Sequence, residues 1–154
     1  MSGLIKVVAL SGSLRKASYN TGLIRSAIEL SKTVVEGVEI EHVDISNLPL
    51  LNTDLEKNAL DWASRPPNVW GGKPAAIVSV GGGHGGAKSH YHLRQIGVFI
   101  DLHFINKPEF FLNAFQPPAK FNSDGDLIDE DVKNKLKEIL LSLKAFTLQL
   151  QGKN

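Results

Sequence analysis

The feature that most constrains the fold is a repeated change of hydrophobic period along the chain. The run Ile5–Leu10 is apolar and rich in β-branched residues, which is typical of a strand buried on both faces. From Asn20 the apolar residues recur with helical spacing, and Gly37 ends that segment. Because strand and helix patterns alternate, we expect an α/β fold with an open parallel sheet and right-handed crossovers.

The alternation continues to the end of the 154-residue chain. Further strands are predicted in "VEIEHVDIS", "KPAAIVSV" and "HFIN", and a short helix in "KNALDWA". Longer helices are predicted over residues 88–102 and after a cap at Asp129. We find no repeat or linker, so the sequence indicates a single domain over residues 1–154.

Composition excludes several functional classes. The charges nearly cancel, with 17 basic against 16 acidic residues, which argues against a nucleic-acid partner. The chain has no cysteine, so disulfides, thiolate nucleophiles and zinc sites of the CxxC kind are excluded. His90 and His92 lie two positions apart, which is poor spacing for metal ligands on a helix, and no metal site is predicted. The apolar start contains Lys6 and is too short for a membrane span, so we expect a soluble, cytoplasmic protein.

A polar turn, "SGSLRKASYN" at residues 11–20, separates the first predicted strand from the first helix. In open parallel sheets, ligands bind outside the carboxyl ends of the strands, where this turn lies. A helix N-terminus favours an anion, and the turn adds serine hydroxyls, an amide and the guanidinium of Arg15. The turn therefore predicts a phosphate-binding site. The alternative is a polar loop with a capping serine and a solvated arginine.

A glycine-rich loop, "GGGHGG" at residues 81–86, follows a later strand. It matches GxGxxG, but the acidic residue of a dinucleotide site is missing, and no GK[ST] tripeptide supports a Walker A loop. Its glycines allow the backbone to approach a flat ligand, or merely connect strand to helix. His84 in this loop has two possible roles, as a contact to a ligand or as a solvated loop residue.

Several segments resemble one enzyme family. "ALSGSLRKASYNTGL" resembles the FMN phosphate loop of flavodoxin-like NAD(P)H-dependent FMN and quinone reductases. "NALDWASRPPNVW", "GGGHGG", "YHLRQIGVFIDLHFINKPEF" and "NAFQPP" are similar to plant-type NAD(P)H:quinone oxidoreductases. The resemblance covers nearly the whole chain.

The resemblance implies a flavodoxin-like, doubly wound parallel sheet and a non-covalent FMN. NAD(P)H would reduce the flavin, which would reduce a small-molecule quinone by two electrons in a ping-pong cycle. No side chain is expected as a catalytic acid or base, since the cofactor carries the chemistry. A homodimer or homotetramer is also implied. The phosphate would be held by Ser11, Ser13, Arg15, Ser18 and Asn20, and the isoalloxazine ring lined by Gly82, Gly83 and Gly85.

The chain departs from this family at one point. Relatives have a helix, a third strand and a "PEYN"-like loop between their "TDLE"-like and "KNALDW" segments, whereas here Glu56 runs directly into Lys57. We therefore expect four strands in place of five, with the first strand either pairing directly to the fourth or leaving the sheet loose. The alternative function is that of a shortened, catalytically weak or inactive relative that acts as a binding or regulatory protein.

Overall fold

A computed structural model describes residues 3–13, 15–45, 60 and 63–152. Their strands are β1 (Ile5–Leu10), β2 (Val38–Val43), β3 (Lys73–Ala75), β4 (Val78–Gly81), β5 (Leu102–Phe104) and β6 (Phe110–Asn113). Their helices are α1 (Tyr19–Thr33), α2 (Ala87–Phe99) and α3 (Glu130–Leu150). The predicted helix "KNALDWA" and the junction of Glu56 with Lys57 fall largely or wholly outside the described residues.

The first unit, β1-α1-β2, forms as the sequence predicts. β1 and β2 pair in parallel, with Ile5 opposite Val38 and Leu10 opposite Val43. α1 begins at the N-cap Ser18, whose hydroxyl accepts a hydrogen bond from the Thr21 amide. Since parallel strands need a crossover connection, α1 supplies it and brings the carboxyl ends of both strands to one edge.

The later strands are divided into segments, which differs from the four continuous strands expected. β3 pairs with β5, and β4 with β6, both in parallel, so the described strands form three two-stranded sheets. Ala76 and Ile77 separate β3 from β4, and Pro108 lies between β5 and β6. Proline has no N–H for the ladder, which accounts for an interruption at that point. β6 was not predicted from the sequence.

The centre of the sheet is open in the part of the chain that the structure describes. β1 pairs with β2 alone, and β4 with β6 alone, so β1 and β4 form no ladder with each other. The expected direct pairing of the first strand with the strand before the glycine loop is therefore not found. Instead, the two halves of the sheet are joined through the helices that pack on them.

The main core lies on the face of the strands covered by α1 and α3. α3 begins at the N-cap Asp129, whose carboxylate accepts a hydrogen bond from the Val132 amide at 2.9 Å. Each strand contributes every second residue to this core, and each helix contributes the residues of one face, because side chains repeat every two residues in a strand and about every 3.6 in a helix. Buried members of this cluster include Ile5, Leu23, Val38, Ile40, Phe110, Leu112, Val132, Leu136, Ile139 and Leu143.

The opposite face is covered by α2 only beside the later strands. The ring of Phe111 in β6 packs edge-on against His90 of α2, with ring centroids 4.5 Å apart. His90 is 2% exposed, and its Nε2 has no hydrogen-bond partner among the described residues. Burial, reinforced by the Arg94 guanidinium and opposed by Glu109, lowers the pKa of His90 to about 4. His90 is therefore a neutral core residue near pH 7.

The same face of β1 and β2 is bare, which corrects the expectation that β1 is buried on both faces. Ile5 is buried, but Val8, which points to the other side, is 58% exposed. Glu41 lies opposite Val8 in the ladder and is exposed too. A parallel sheet normally has both faces covered, so this half of the protein has a sheet face that its own described residues leave open.

Candidate FMN-binding site

The turn after β1 forms one wall of a small cavity of about 260 Å³. The other wall comes from the residues that end and follow β2. The lining residues are Ser11, Ser13, Arg15, Thr21, His42, Asp44 and Ile45. The cavity is below the roughly 300–1,000 Å³ of pockets that enclose a whole ligand, and so matches one end of a larger molecule.

Hydroxyl groups fix the floor of this cavity. Ser11 is 6% exposed, and its Oγ lies 3.1 Å from the Thr21 hydroxyl of α1. The Ser13 amide donates to the Ser11 hydroxyl at 3.3 Å, so the Ser11 hydroxyl contacts both its own turn and the helix. A buried hydroxyl pair of this kind can turn a hydrogen toward an anion without moving a heavy atom.

Two further predicted residues take different roles in the same turn. Ser18 is 4% exposed, and its side chain caps α1, so its hydroxyl already serves the helix. Arg15 is exposed and lines the cavity; its backbone carbonyl accepts a hydrogen bond from the Ser18 amide, whereas its guanidinium makes no hydrogen bond or ion pair with the described residues. The guanidinium is thus available to an anionic ligand, whereas Ser18 positions the helix N-terminus that faces it.

Asn20 is the predicted phosphate contact whose position differs most from expectation. It does not line the cavity. Its Oδ1 accepts a hydrogen bond from the Val80 amide at 3.0 Å, and its Nδ2 donates to the Val80 carbonyl at 3.4 Å. The structure therefore joins Asn20 to β4, just before the glycine loop.

The glycine loop follows β4 directly and contains two kinds of glycine. Gly82 and Gly83 are exposed, and a β-carbon on either would meet nothing within 4 Å. Gly85 is buried with a φ of 58°, and a β-carbon there would lie 2.8 Å from the Leu112 amide nitrogen. Gly82 and Gly83 thus present open backbone to a ligand, while Gly85 is required by packing.

Hydrogen bonds hold the loop in this shape. The Gly85 amide donates to the Gly82 carbonyl at 2.8 Å, and the Ser79 hydroxyl donates to the Gly85 carbonyl at 2.6 Å. His84 is exposed. Because the loop is fixed by its own strand, the backbone of Gly82 and Gly83 is pre-formed for contact with a flat ligand.

Four residues that line the cavity lie outside the polar turn at residues 11–20 and were not predicted from the sequence. Thr21 follows the predicted cluster by one residue, and its hydroxyl belongs to the first turn of α1. His42, Asp44 and Ile45 were missed because they belong to the neighbouring strand and its exit. The rule that ligands bind where the carboxyl ends of adjacent parallel strands meet could have pointed to them.

Comparison with known proteins places this geometry in a family. A sequence profile described as NADPH-dependent FMN reductase matches residues 5–57 and 55–117 of the chain. The chain belongs to the NADPH-dependent FMN reductase family. The match includes both the polar turn at residues 11–20 and the glycine loop.

Individual relatives of this FMN reductase family agree. The chain is 58% identical to an NADPH:quinone oxidoreductase of Arabidopsis thaliana over 187 positions, covering 97% of this chain and 95% of the relative. It is 54% identical to an NAD(P)H:quinone oxidoreductase of Solanum tuberosum, with 97% and 96% covered. An NAD(P)H-dependent FMN reductase of Pseudomonas aeruginosa is 36% identical, with 99% and 100% covered.

A solved structure supports the flavodoxin-like fold. FerB, an NAD(P)H:(acceptor) oxidoreductase flavoenzyme from Paracoccus denitrificans, superposes with a TM-score of 0.73 at 22% identity. The match covers 97% of this chain and 99% of that one. Within the described ranges, none of the helices is long and apolar enough to cross a membrane.

The residues present fit the phosphate end of FMN, the cofactor from which the family takes its name. Arg15 is an available cation, and the Ser11, Ser13 and Thr21 hydroxyls surround the same small cavity at the start of α1. Asp44 on the opposite wall carries the same sign of charge as a phosphate, so the phosphate would lie on the Arg15 side of the cavity. The glycine loop offers exposed backbone for a ring.

Proposed function

We propose that this chain binds FMN non-covalently and uses it to reduce a small-molecule quinone by two electrons at the expense of NAD(P)H. The observation that carries the proposal is the cavity of about 260 Å³ at the start of α1, lined by Ser11, Ser13 and Arg15, in a chain of the FMN reductase family. The names of the plant relatives support a quinone as the acceptor. They favour an enzyme over the alternative of an inactive binding protein.

The residues divide the work in this proposal. Arg15 and the Ser11 and Ser13 hydroxyls hold the phosphate, and Ser18 caps the helix that points at it. The backbone of Gly82 and Gly83 faces the ring. Gly85 packs the loop onto β6, where a side chain would not fit, and any contact that it makes with the ring would be through its backbone.

Bound FMN would supply the two-electron chemistry of a ping-pong exchange between NAD(P)H and quinone. The protein's part is to bind, orient and shield. No described side chain has to give or take a proton in this proposal.

We also propose that this chain lacks a segment that its relatives have between the positions of Glu56 and Lys57. The family profile matches in two pieces that meet at residues 55–57. The alignment with the Arabidopsis relative runs over 187 positions but covers only 97% of this chain, about 149 of its 154 residues, so about 38 positions of the relative have no counterpart here. A unit of one helix and one strand accounts for a gap of about this size. Cytoplasmic location and assembly into a homodimer or homotetramer are also proposed, on the family resemblance.

Reconstitution with flavin tests the function directly. The purified chain is incubated with FMN, freed of unbound flavin and assayed for flavin absorbance and for oxidation of NADPH and NADH with a benzoquinone as acceptor. We expect bound FMN and quinone-dependent turnover, both lower than in a version with the family segment restored between Glu56 and Lys57. Binding of FMN without turnover would reduce the proposal to a flavin-binding protein, and absence of both would overturn it.

A further inference from the structure

Asn20 makes an unusual pair of contacts with one residue of β4. Its side-chain amide accepts from the Val80 N–H at 3.0 Å and donates to the Val80 carbonyl at 3.4 Å. Both backbone groups of Val80 are therefore bonded by one side chain that lies 60 positions earlier in the sequence. An amide side chain carries the same donor and acceptor as a peptide group, so it can pair as a backbone does.

The edge of β4 explains why this pairing matters. On one side β4 pairs with β6, and the carbonyl of Gly81 accepts from the Ala114 amide on that side. The N–H and C=O of successive residues in a strand point to alternate sides, so the Val80 groups point away from β6. On that side no described strand pairs with β4. The Asn20 side chain therefore occupies the position from which a neighbouring strand would form hydrogen bonds to Val80.

We propose that Asn20 is a positioning residue, which pairs with Val80 in place of a strand and sets the spacing between the phosphate turn and the glycine loop. Asn20 adjoins Thr21, which lines the phosphate cavity, and Val80 is followed by Gly81 and the open glycines. The two hydrogen bonds thus connect the two halves of the candidate FMN site. This inference rests on the proposed function and assigns Asn20 a role other than phosphate contact.

Comparison of two flavins separates positioning from phosphate binding. Riboflavin has the ring and ribityl chain of FMN but no phosphate. Asn20→Ala is expected to weaken FMN and riboflavin binding by the same factor, about five- to tenfold, because it loosens the turn relative to the loop. Arg15→Ala is the matched comparison, and should weaken FMN binding while leaving riboflavin binding unchanged.

A second measurement needs no flavin. The Val80 amide should exchange slowly with solvent in the ligand-free protein, although no described strand covers it, and about five- to tenfold faster in Asn20→Ala. Asn20→Asp keeps the acceptor but loses the donor, and should protect the Val80 amide more than Asn20→Ala does. If Asn20→Ala fails to fold, Asn20→Asp and the exchange rate of the unmodified protein still test the pairing.

Each outcome bears on the inference. Loss of FMN affinity alone in Asn20→Ala, with riboflavin affinity and Val80 exchange unchanged, would make Asn20 a phosphate ligand and overturn it. Faster exchange with both affinities unchanged would leave a structural contact and overturn the positioning role. If the unmodified chain binds neither flavin, the proposed function fails, and a protected Val80 amide would then support the pairing separately.

Discussion

Gly85 lies against the backbone of Leu112, so that a β-carbon on Gly85 would stand 2.8 Å from the Leu112 amide nitrogen. Gly82, three residues earlier in the same loop, has nothing within 4 Å of the corresponding position. The two glycines therefore make separable contributions. Gly85 allows the loop to pack closely on β6, and Gly82 leaves its backbone exposed to solvent or a ligand.

Alanine at Gly85 should lower stability, whereas alanine at Gly82 should weaken FMN binding. Gly85→Ala combines a clash with backbone and a positive φ, and we expect it to lower the free energy of unfolding by about 1–3 kcal/mol. Gly82→Ala should change stability by less than about 0.5 kcal/mol but weaken FMN binding, because the added methyl group occupies the open side of the loop. Urea denaturation and flavin titration measure the two effects. Unchanged flavin affinity in Gly82→Ala would remove this glycine from the ring site.

Replacing Arg15 tests the charged contact with phosphate. Arg15→Ala should weaken FMN binding by about ten- to a hundredfold, since a hydrogen bond to a charged group contributes roughly 1.5–3 kcal/mol. Lys16→Ala is the control, because Lys16 is an exposed neighbour that does not line the cavity. Fluorescence titration with FMN gives both constants, and an equal loss in the two variants would point to general charge attraction instead of a specific contact.

Acid should destabilise the protein through His90. Its pKa is near 4 in the folded protein, against an ordinary value of 6.5, so the unfolded chain binds the proton more readily. This contribution to stability is complete above about pH 6.5, falls as the pH is lowered toward 4 and then levels off. A shift of this size corresponds to roughly 3 kcal/mol.

Denaturation midpoints at several pH values between 7.5 and 4 measure the loss. His90→Leu should flatten the profile over this range, whereas His92→Gln, on the exposed side of the same helix, should leave it unchanged. A profile that is equally steep in His90→Leu would place the acid sensitivity in other groups.

Restoring a family helix and strand between Glu56 and Lys57 should tighten the flavin site. A third strand would pair on both sides and add roughly five to ten ladder hydrogen bonds, at about 1 kcal/mol each. We expect higher stability and, with the restored loop beside the ring, FMN binding about tenfold tighter if that loop adds ~1.4 kcal/mol. Asn20→Ala should then cost less stability than it does in the present chain, because Val80 would have a strand partner. Equal flavin content and turnover with and without the segment would show that the junction is unimportant.

Local patterns in the sequence predicted a large part of this structure. The helical period placed Leu23 and Leu136 in the core, and the cap at Asp129 is found as expected, whereas Ser18, expected as a phosphate contact, caps α1. These features depend on neighbouring residues, whose spacing is visible in the chain itself. The strand–turn–helix unit that lines the cavity at the start of α1 was predicted for the same reason.

Features that depend on distant contacts were not predictable in this way. The apolar run of β1 indicates burial on both faces, yet the exposure of Val8 depends on which elements are present to cover it. An asparagine beside three serines suggests a ligand contact, while the partner that Asn20 finds is Val80. β6 was missed because "FFLN" is short and follows a proline, and only pairing with β4 makes it a strand.

The cavity at the start of α1 has a consequence for how the protein is made. All its lining residues lie between positions 11 and 45, so the ribosome delivers them first. The core beneath β1 and β2 is closed by residues of α3 such as Leu136 and Leu143, which are synthesised after all of the lining residues. A nascent chain therefore carries every side chain of the cavity before it has a core to hold them in place. We therefore expect cofactor loading to follow the synthesis of α3, and a stop codon before α3 to abolish binding without altering one lining residue.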